Sequence, residues 1–170
     1  MANYIFSVKS VKYGTPTGTN TMPATGDMTA LPDTVKGSVN IDEGEGTLTK
    51  FFVDQKIQPI KVVKTEEGEL TATMQFYDLT YATIAALKGG TGNASGWTPA
   101  TGYTQIEKAL QIDTDSGHTF DFYNAQLTTR FTGGGSRDAM FMMEMKATPQ
   151  MSTDVAGSYK IRPKIGRAHV

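Results

Sequence analysis

The alternation of apolar and polar residues predicts a chain built mainly from β-strands. The clearest alternation lies between residues 70 and 77. Its apolar positions are Leu70, Ala72, Met74 and Phe76, and its polar positions are Thr71, Thr73, Gln75 and Tyr77. A period of two places the first set on one face of a strand and the second set on the other. The segment is therefore predicted to be a strand with one buried face.

Further strands are predicted where similar runs are bounded by turn residues. They cover residues 4–13, 35–41, 47–53, 57–64, 103–112, 119–131 and 139–147. The acidic, Gly-rich turn 42–46 joins two of these runs as a hairpin. Pro59 has no N–H to donate, which assigns its part of the 57–64 run to a sheet edge or a bulge.

The period changes to a helical one between Leu79 and Lys88. Thr80 is placed to cap the first turn, and Leu79 is placed to pack against Ile84. The pair Gly89 and Gly90 ends the helix. A helix of two to three turns is unstable alone, so it is predicted to lie against a sheet.

Two loops are rich in glycine, proline and polar residues. Residues 14–33 carry only Met22, Met28 and Leu31 as large apolar side chains. A loop of this length is usually either mobile or used for binding, and both hypotheses stay open. The second loop, residues 91–101, contains the single tryptophan, Trp97, which is expected to be either an interface anchor or a lid over the core.

The run 139–147 is apolar on both faces. Phe141, Met143 and Met145 share one face, and Met140 and Met142 share the other. Methionine adapts its shape to irregular partners. Both faces are therefore expected to be covered, by the helix or by another subunit.

Composition restricts the classes of function. The chain has 170 residues, enough for one core, and we predict a single domain. Its lack of cysteine excludes disulfides and thiol chemistry. A net charge of −1 gives no general attraction for nucleic acid. The sequence shows neither a signal peptide nor an apolar run of membrane-spanning length, so we expect no export and no membrane anchor.

The sequence contains no motif that predicts catalysis or metal binding. His118 and His169 fall in a turn and in the basic C-terminal segment, apart from other reactive groups. The turn 113–118 begins like a calcium loop, but His118 stands where glycine belongs and Asn124 where glutamate belongs. Residues 133–136 lie between two predicted strands, without a helix N-terminus to hold phosphate. We expect no enzymatic activity, no cofactor and no metal.

The order of elements is a strand, a long loop, several strands, one short helix and strands again, and residues 70–90 read LTATMQFYDLTYATIAALKGG. In this layout the chain resembles the tail tube (major tail) proteins of long-tailed bacteriophages. That family is related to the tube proteins of contractile injection and type VI secretion systems. The resemblance implies two packed antiparallel β-sheets, sandwich- or barrel-like, with one short flanking helix and a long loop after the first strand.

The resemblance also implies a function. Six copies would form a ring, and stacked rings would form a hollow tube through which DNA passes without specific binding. The implied location is the virion tail, assembled in the host cytoplasm. Implied partners are further copies of the chain and the tape-measure, tail-tip and tail-terminator proteins, with a sheath if the tail is contractile. Contractile and non-contractile tails, and passage of DNA or of an effector, remain open.

Family membership would give parts of this single domain specific roles. Residues 1–13 would be an N-terminal strand or arm, residues 14–33 the long loop and residues 156–170 a basic C-terminal arm. The candidate contacts between subunits are Tyr4, Phe6, Met22, Met28, Leu31, Met140, Met142, Lys160 and Arg162. The candidate lumen lining is either Gln105, Glu107 and Gln111 or Thr71, Thr73 and Gln75. A neutral to acidic lining would let DNA slide, since attraction to phosphate makes binding tight.

A second hypothesis belongs to another class of function. The chain would be a stand-alone β-sandwich binding module for carbohydrate or protein, with Trp97 and its loop as the platform. A particle that stays monomeric at all concentrations would favour this hypothesis.

Overall fold

The computed structural model describes residues 7–137, 140–151 and 157–163. Tyr4 and Phe6 lie outside the described residues, as do residue 156 and residues 164–170 of the predicted C-terminal arm. The predicted mainly-β class is confirmed. The elements are β1 Val8–Gly14, β2 Thr29–Ala30, β3 Asn40–Glu43, β4 Thr47–Phe51, β5 Lys61–Glu66, β6 Leu70–Phe76, α1 Tyr81–Lys88, β7 Thr91–Asn93, β8 Gly96–Thr98, β9 Ile106–Thr114, β10 His118–Thr132, β11 Met142–Pro149 and β12 Tyr159–Pro163.

Eight strands form one large antiparallel sheet, in the order β2-β1-β9-β10-β11-β6-β3, with β12 also paired to β10. The first part of β10 pairs with β12 and its later part with β11, while β9 runs along the opposite edge. The pairs β4–β5 and β7–β8 form two separate two-stranded sheets. The large sheet does not close into a barrel.

The core lies against one face of the large sheet. Ala72, Met74 and Phe76 are fully buried, which confirms the alternation that predicted β6. Met143 and Met145 of β11 join the same core, together with the inward side chains of β9 and β10. The opposite face of these strands carries mainly polar side chains.

Helix α1 begins and ends where its capping residues predict. The Thr80 hydroxyl accepts a hydrogen bond from the Thr83 N–H at 3.2 Å. Gly89 ends the helix with a φ of 86°, a conformation that favours glycine. Leu87 is the fully buried helix residue and packs in the core, so the helix flanks the sheet as expected.

The long loop is anchored along its second half. Strand β2 pairs with Lys12 and Tyr13 of β1, and the Leu31 N–H donates to the Val11 carbonyl at 2.8 Å. Leu31 is only 8% exposed and belongs to the core. Leu31 stays a predicted contact between subunits, and its side chain offers little free surface for one.

Strands β3 and β6 continue beyond the large sheet into β4 and β5 through a narrow neck. At the neck the Gly44 N–H donates to the Glu69 carbonyl at 3.0 Å. Beyond it, β4 and β5 pair only with each other among the described residues. Residues 47–66 thus form a hairpin outside the large sheet, and none of its side chains belongs to the core cluster.

Substitutions at two neighbouring glycines, Gly44 and Gly68, test the geometry of the neck. A Cβ added at Gly68 would lie 1.5 Å from the Gly44 carbonyl oxygen, whereas a Cβ at Gly44 would meet nothing closer than 3.8 Å. Gly68→Ala must push the two strands apart, and we expect it to lower the free energy of unfolding by ~1–3 kcal/mol. Gly44→Ala is the matched control and should be nearly neutral. Urea unfolding of both variants measures the difference, and equal stabilities would contradict the described neck.

Candidate assembly surfaces

The β4–β5 hairpin exposes an unusual amount of apolar surface. Its exposed side chains range from 48% for Val62 to 100% for Ile57. The set comprises Leu48, Phe51, Phe52, Ile57, Ile60 and Val62. Contiguous apolar patches on soluble proteins commonly mark sites of interaction.

The exposed apolar residues occupy both faces of the hairpin. Val62 lies opposite Lys50, two residues from Leu48, so Val62 and Leu48 share one face. Phe51 lies on the other face, opposite Lys61. A two-stranded hairpin is at best marginally stable in water, and here neither face is covered by the other described residues. Both faces are therefore open to contacts from outside the described part of the chain.

The two predicted lumen linings lie on one face of one sheet. Glu107 of β9 is opposite Gln126 of β10. Two residues further along β10, Thr128 is opposite Lys146 of β11, which is in turn opposite Thr73 of β6. Because Gln126 and Thr128 share a face, Glu107 and Thr73 share it too.

This surface is called the polar face below. It contains Thr71, Thr73, Gln75, Glu107 and Gln111, and Gln105 lies next to it. Thr71 and Gln75 alternate with buried residues on β6, and Gln111 lies four residues from Glu107 on β9. Gln105 precedes β9 and donates a hydrogen bond to Glu107 at 3.2 Å. The two sets are thus parts of a single surface.

Glu144 ties three strands together across the polar face. Its carboxylate accepts a hydrogen bond from Arg130 Nε at 2.8 Å and one from Gln75 Nε2 at 3.1 Å. Both hydrogen bonds lower the pKa of the Glu144 carboxyl, and the bond from Arg130 has the larger effect. The interaction links β10, β11 and β6 by their side chains in addition to their backbones.

The lowered pKa of Glu144 predicts a small pH dependence of stability. A carboxyl whose pKa is lowered by folding stabilises the protein above its unfolded pKa of about 4.3, and the stabilisation is lost as the pH falls. Because Arg130 is largely exposed, we expect a contribution of at most ~1 kcal/mol. Unfolding at pH 7 and pH 3 measures it. Glu144→Gln should reduce the stability difference between these two pH values, and an unchanged difference would contradict the assignment.

A second ion pair lies on the same side of the sheet, between β10 and β12. The Asp121 side chain is 5% exposed and accepts hydrogen bonds from Arg162 Nε and, at 3.4 Å, from Nη2. The hydrogen bond to Asp121 raises the pKa of Arg162. Arg162 stays a predicted contact between subunits, and its guanidinium already forms this ion pair inside the chain. Lys160 is exposed and remains a candidate.

Removing the Arg162 side chain should destabilise the fold. Arg162→Ala leaves the buried Asp121 carboxylate without its cation, a change that costs about 3 kcal/mol in comparable buried pairs. Lys160→Ala, two residues away on β12, is the matched control and should cost under about 0.5 kcal/mol. Thermal and urea unfolding of the monomer compare the two variants. Similar stabilities would show that the pair does not anchor β12.

An aromatic cluster lies where β10, β11 and the β7–β8 hairpin meet. Phe131 stacks on Phe141 at 5.2 Å between ring centroids, and Trp97 meets Phe131 edge to face at 5.5 Å. The Trp97 indole N–H donates to the Gly89 carbonyl at 2.9 Å. Of the two roles that the sequence left open for Trp97, the contacts are those of a lid that fixes its hairpin to the end of the helix.

The remaining predicted contact residues differ in exposure. Met140 is 60% exposed beside the aromatic cluster, whereas Met142 is half-buried. Met22 and Met28 in the long loop are half-buried as well. Of this group, Met140 is the most available for a contact with another molecule.

Sequence reasoning missed the β4–β5 hairpin as a candidate surface. The signal was present in the adjacent Phe51 and Phe52, since neighbouring residues of a strand point to opposite faces. Apolar residues on both faces normally indicate a strand buried on both sides. In this chain the same pattern occurs in a hairpin that no other part of the described structure covers.

The described residues contain neither a metal-binding group of side chains nor a membrane-spanning helix. No three His, Asp or Glu side chains in the ranges given above are grouped so that they could bind a metal ion. Nor does any helix of these ranges have the length and apolar character needed to span a membrane. A cleft of about 340 Å³ lies between Ser7–Val8 and residues 34–39.

The sequence matches no protein-family model and no curated protein.

Proposed function

We propose that this chain is the structural subunit of a phage tail tube, which assembles as hexameric rings that stack into a hollow tube for the passage of DNA. The proposal combines the resemblance in layout to tail tube proteins with two surfaces of the structure. These are the exposed apolar β4–β5 hairpin and the polar face of the large sheet.

The hairpin is the observation on which the proposal chiefly depends. It extends from a well-packed sheet and carries exposed apolar side chains on both faces, from Leu48 to Val62. As an isolated feature it adds aggregation-prone edges and apolar surface without adding to the core. In a ring or a stack of rings, neighbouring copies would cover both faces.

The polar face supports the same function. It is a broad surface of Thr, Gln and mixed charges, and several of its charges are neutralised by the pairs Arg130–Glu144 and Arg162–Asp121. Such a surface offers phosphate groups little net attraction, so DNA could move along it without tight binding. We therefore assign it to the lumen.

The open edges of the large sheet also favour assembly. Strands β2 and β3 lie at the two edges and are two and four residues long. Edge strands must be protected or paired, and joining sheets into a continuous barrel across subunits removes the edges altogether.

Assembly that depends on the hairpin is tested by removing apolar surface from it. In Phe52→Ser/Ile60→Ser both substituted side chains are exposed, so the monomer should keep its stability within about 0.5 kcal/mol. We expect the variant to stay monomeric at concentrations where the unmodified chain forms rings or tubes. Sedimentation velocity and negative-stain electron microscopy measure this.

The matched control is Tyr103→Ser, which removes a fully exposed aromatic side chain outside the hairpin. It should assemble like the unmodified chain. The proposed function is contradicted if the unmodified chain remains monomeric even with a tail-tip complex present, a result that favours the stand-alone binding module. Normal assembly by the hairpin variant would remove the main support for the proposal.

A further inference from the structure

The β4–β5 hairpin has opposite charges at its two ends. Its outer part carries Lys50, Lys56 and Lys61 against the single Asp54, and all four residues are exposed. We call these three lysines the basic tip. None of them forms a salt bridge with another described residue.

The base of the hairpin is acidic. Its exposed carboxylates, called the acidic neck, are Asp42, Glu43, Glu45, Glu66, Glu67 and Glu69. Lys64 pairs with Glu67 and is the basic residue that partly offsets this charge. Backbone pairing concentrates the neck residues, because residues 42–43 lie opposite residues 70–71 and Thr47 lies opposite Glu66.

The tip and the neck of one hairpin are too far apart to neutralise each other. Lys61 pairs with Phe51, four residues along β4 from Thr47. At about 3.4 Å per residue this corresponds to ~14 Å of strand. Exposed charges separated by more than the Debye length of about 8 Å at physiological ionic strength are largely screened from each other.

We infer that the β4–β5 hairpin docks head to tail on a second copy of this chain, with its basic tip against the acidic neck of that copy. The apolar faces supply the buried surface, and the charges set the direction. Hairpins side by side in register would place tip beside tip and neck beside neck, and like charges in contact disfavour that arrangement. A head-to-tail contact uses two different surfaces and so can propagate from copy to copy.

This inference deepens the proposed function and rests on it for the identity of the partner. Beyond the proposed function, it specifies that the basic tip of one copy contacts the acidic neck of the next. The strands of the neck lie close together at Gly44 and Gly68, and the pairing of β4 with β5 places the tip several residues beyond them. A tip that points away from its own neck is therefore available to another molecule.

Charge reversal tests the contact. The tip variant is K50E/K56E/K61E and the neck variant is E43K/E45K/E69K, all at exposed positions whose side chains form none of the hydrogen bonds or ion pairs described above. At low salt each variant alone should need a protein concentration higher by on the order of tenfold or more to assemble. Thermal unfolding of each variant should match that of the unmodified chain.

Two recovery experiments make the test specific. An equimolar mixture of the tip and neck variants should assemble, because each reversed surface then meets a reversed partner. The chain carrying all six substitutions should assemble alone for the same reason, and it matches the unmodified chain in net charge. Mass photometry and sedimentation velocity at 50 and 500 mM salt measure assembly, with the effect of reversal smaller at high salt.

The outcomes separate this inference from the proposed function. If tubes form despite either charge reversal, or if neither recovery experiment restores assembly, the tip-to-neck contact is overturned. The proposed function as a tube subunit is not contradicted by these results. Rescue in small oligomers that never form hollow tubes would support the contact and contradict the tube. An unmodified chain that never associates would overturn both.

Discussion

The pairing of β10 along both of its edges is the interaction on which the rest of the structure depends. This strand runs from His118 to Thr132 and pairs with β9 on one side and with β12 and β11 on the other. It is mostly buried between Thr119 and Leu127. Its inward residues form the centre of the core. Its outward residues continue the polar face from Glu107 to Thr73, so the same alternation that builds the core also builds the proposed lumen lining.

The β4–β5 hairpin does not follow this pattern of one buried and one polar face. The strands β1, β6, β9, β10 and β11 of the large sheet contain buried residues, whereas β4 and β5 bury neither face against the other described residues. The hairpin is connected to the large sheet by its neck, in which the two backbones approach too closely for a side chain at Gly68. An exposed apolar hairpin with charged ends is the arrangement expected of an element that becomes buried on assembly.

Local sequence chemistry accounts for the elements that were predicted well. The helix was predictable because Thr80 and Gly89 specify its ends, and β6 because its alternation is uninterrupted. The short strands β2, β7, β8 and β12 were not predicted, since their pairing depends on partners that are distant in sequence or on a tight turn. Long-range contacts were equally hidden. Arg162 pairs with Asp121 across 41 positions, so the sequence alone could not show that this arginine is engaged within the chain.

The two candidate lumen linings illustrate the same limit of local patterns. Alternation correctly identified polar faces on β6 and β9, but only the order of strands in the sheet shows that both belong to one surface. The β4–β5 hairpin shows a related limit. Its apolar pattern indicates that the hairpin is buried, but not whether its own chain or another molecule covers it.

The central claim is that copies of this chain build a hollow tube. The most direct test is to purify the unmodified chain, raise its concentration and image it by negative-stain electron microscopy, with mass photometry of the smallest ring. The account predicts rings or tubes with a central hole, a ring mass close to six subunits and, in a reconstruction, the polar face of the large sheet toward the hole. Particles that remain monomeric at every concentration and with a tail-tip complex, or solid assemblies without a hole, would contradict it.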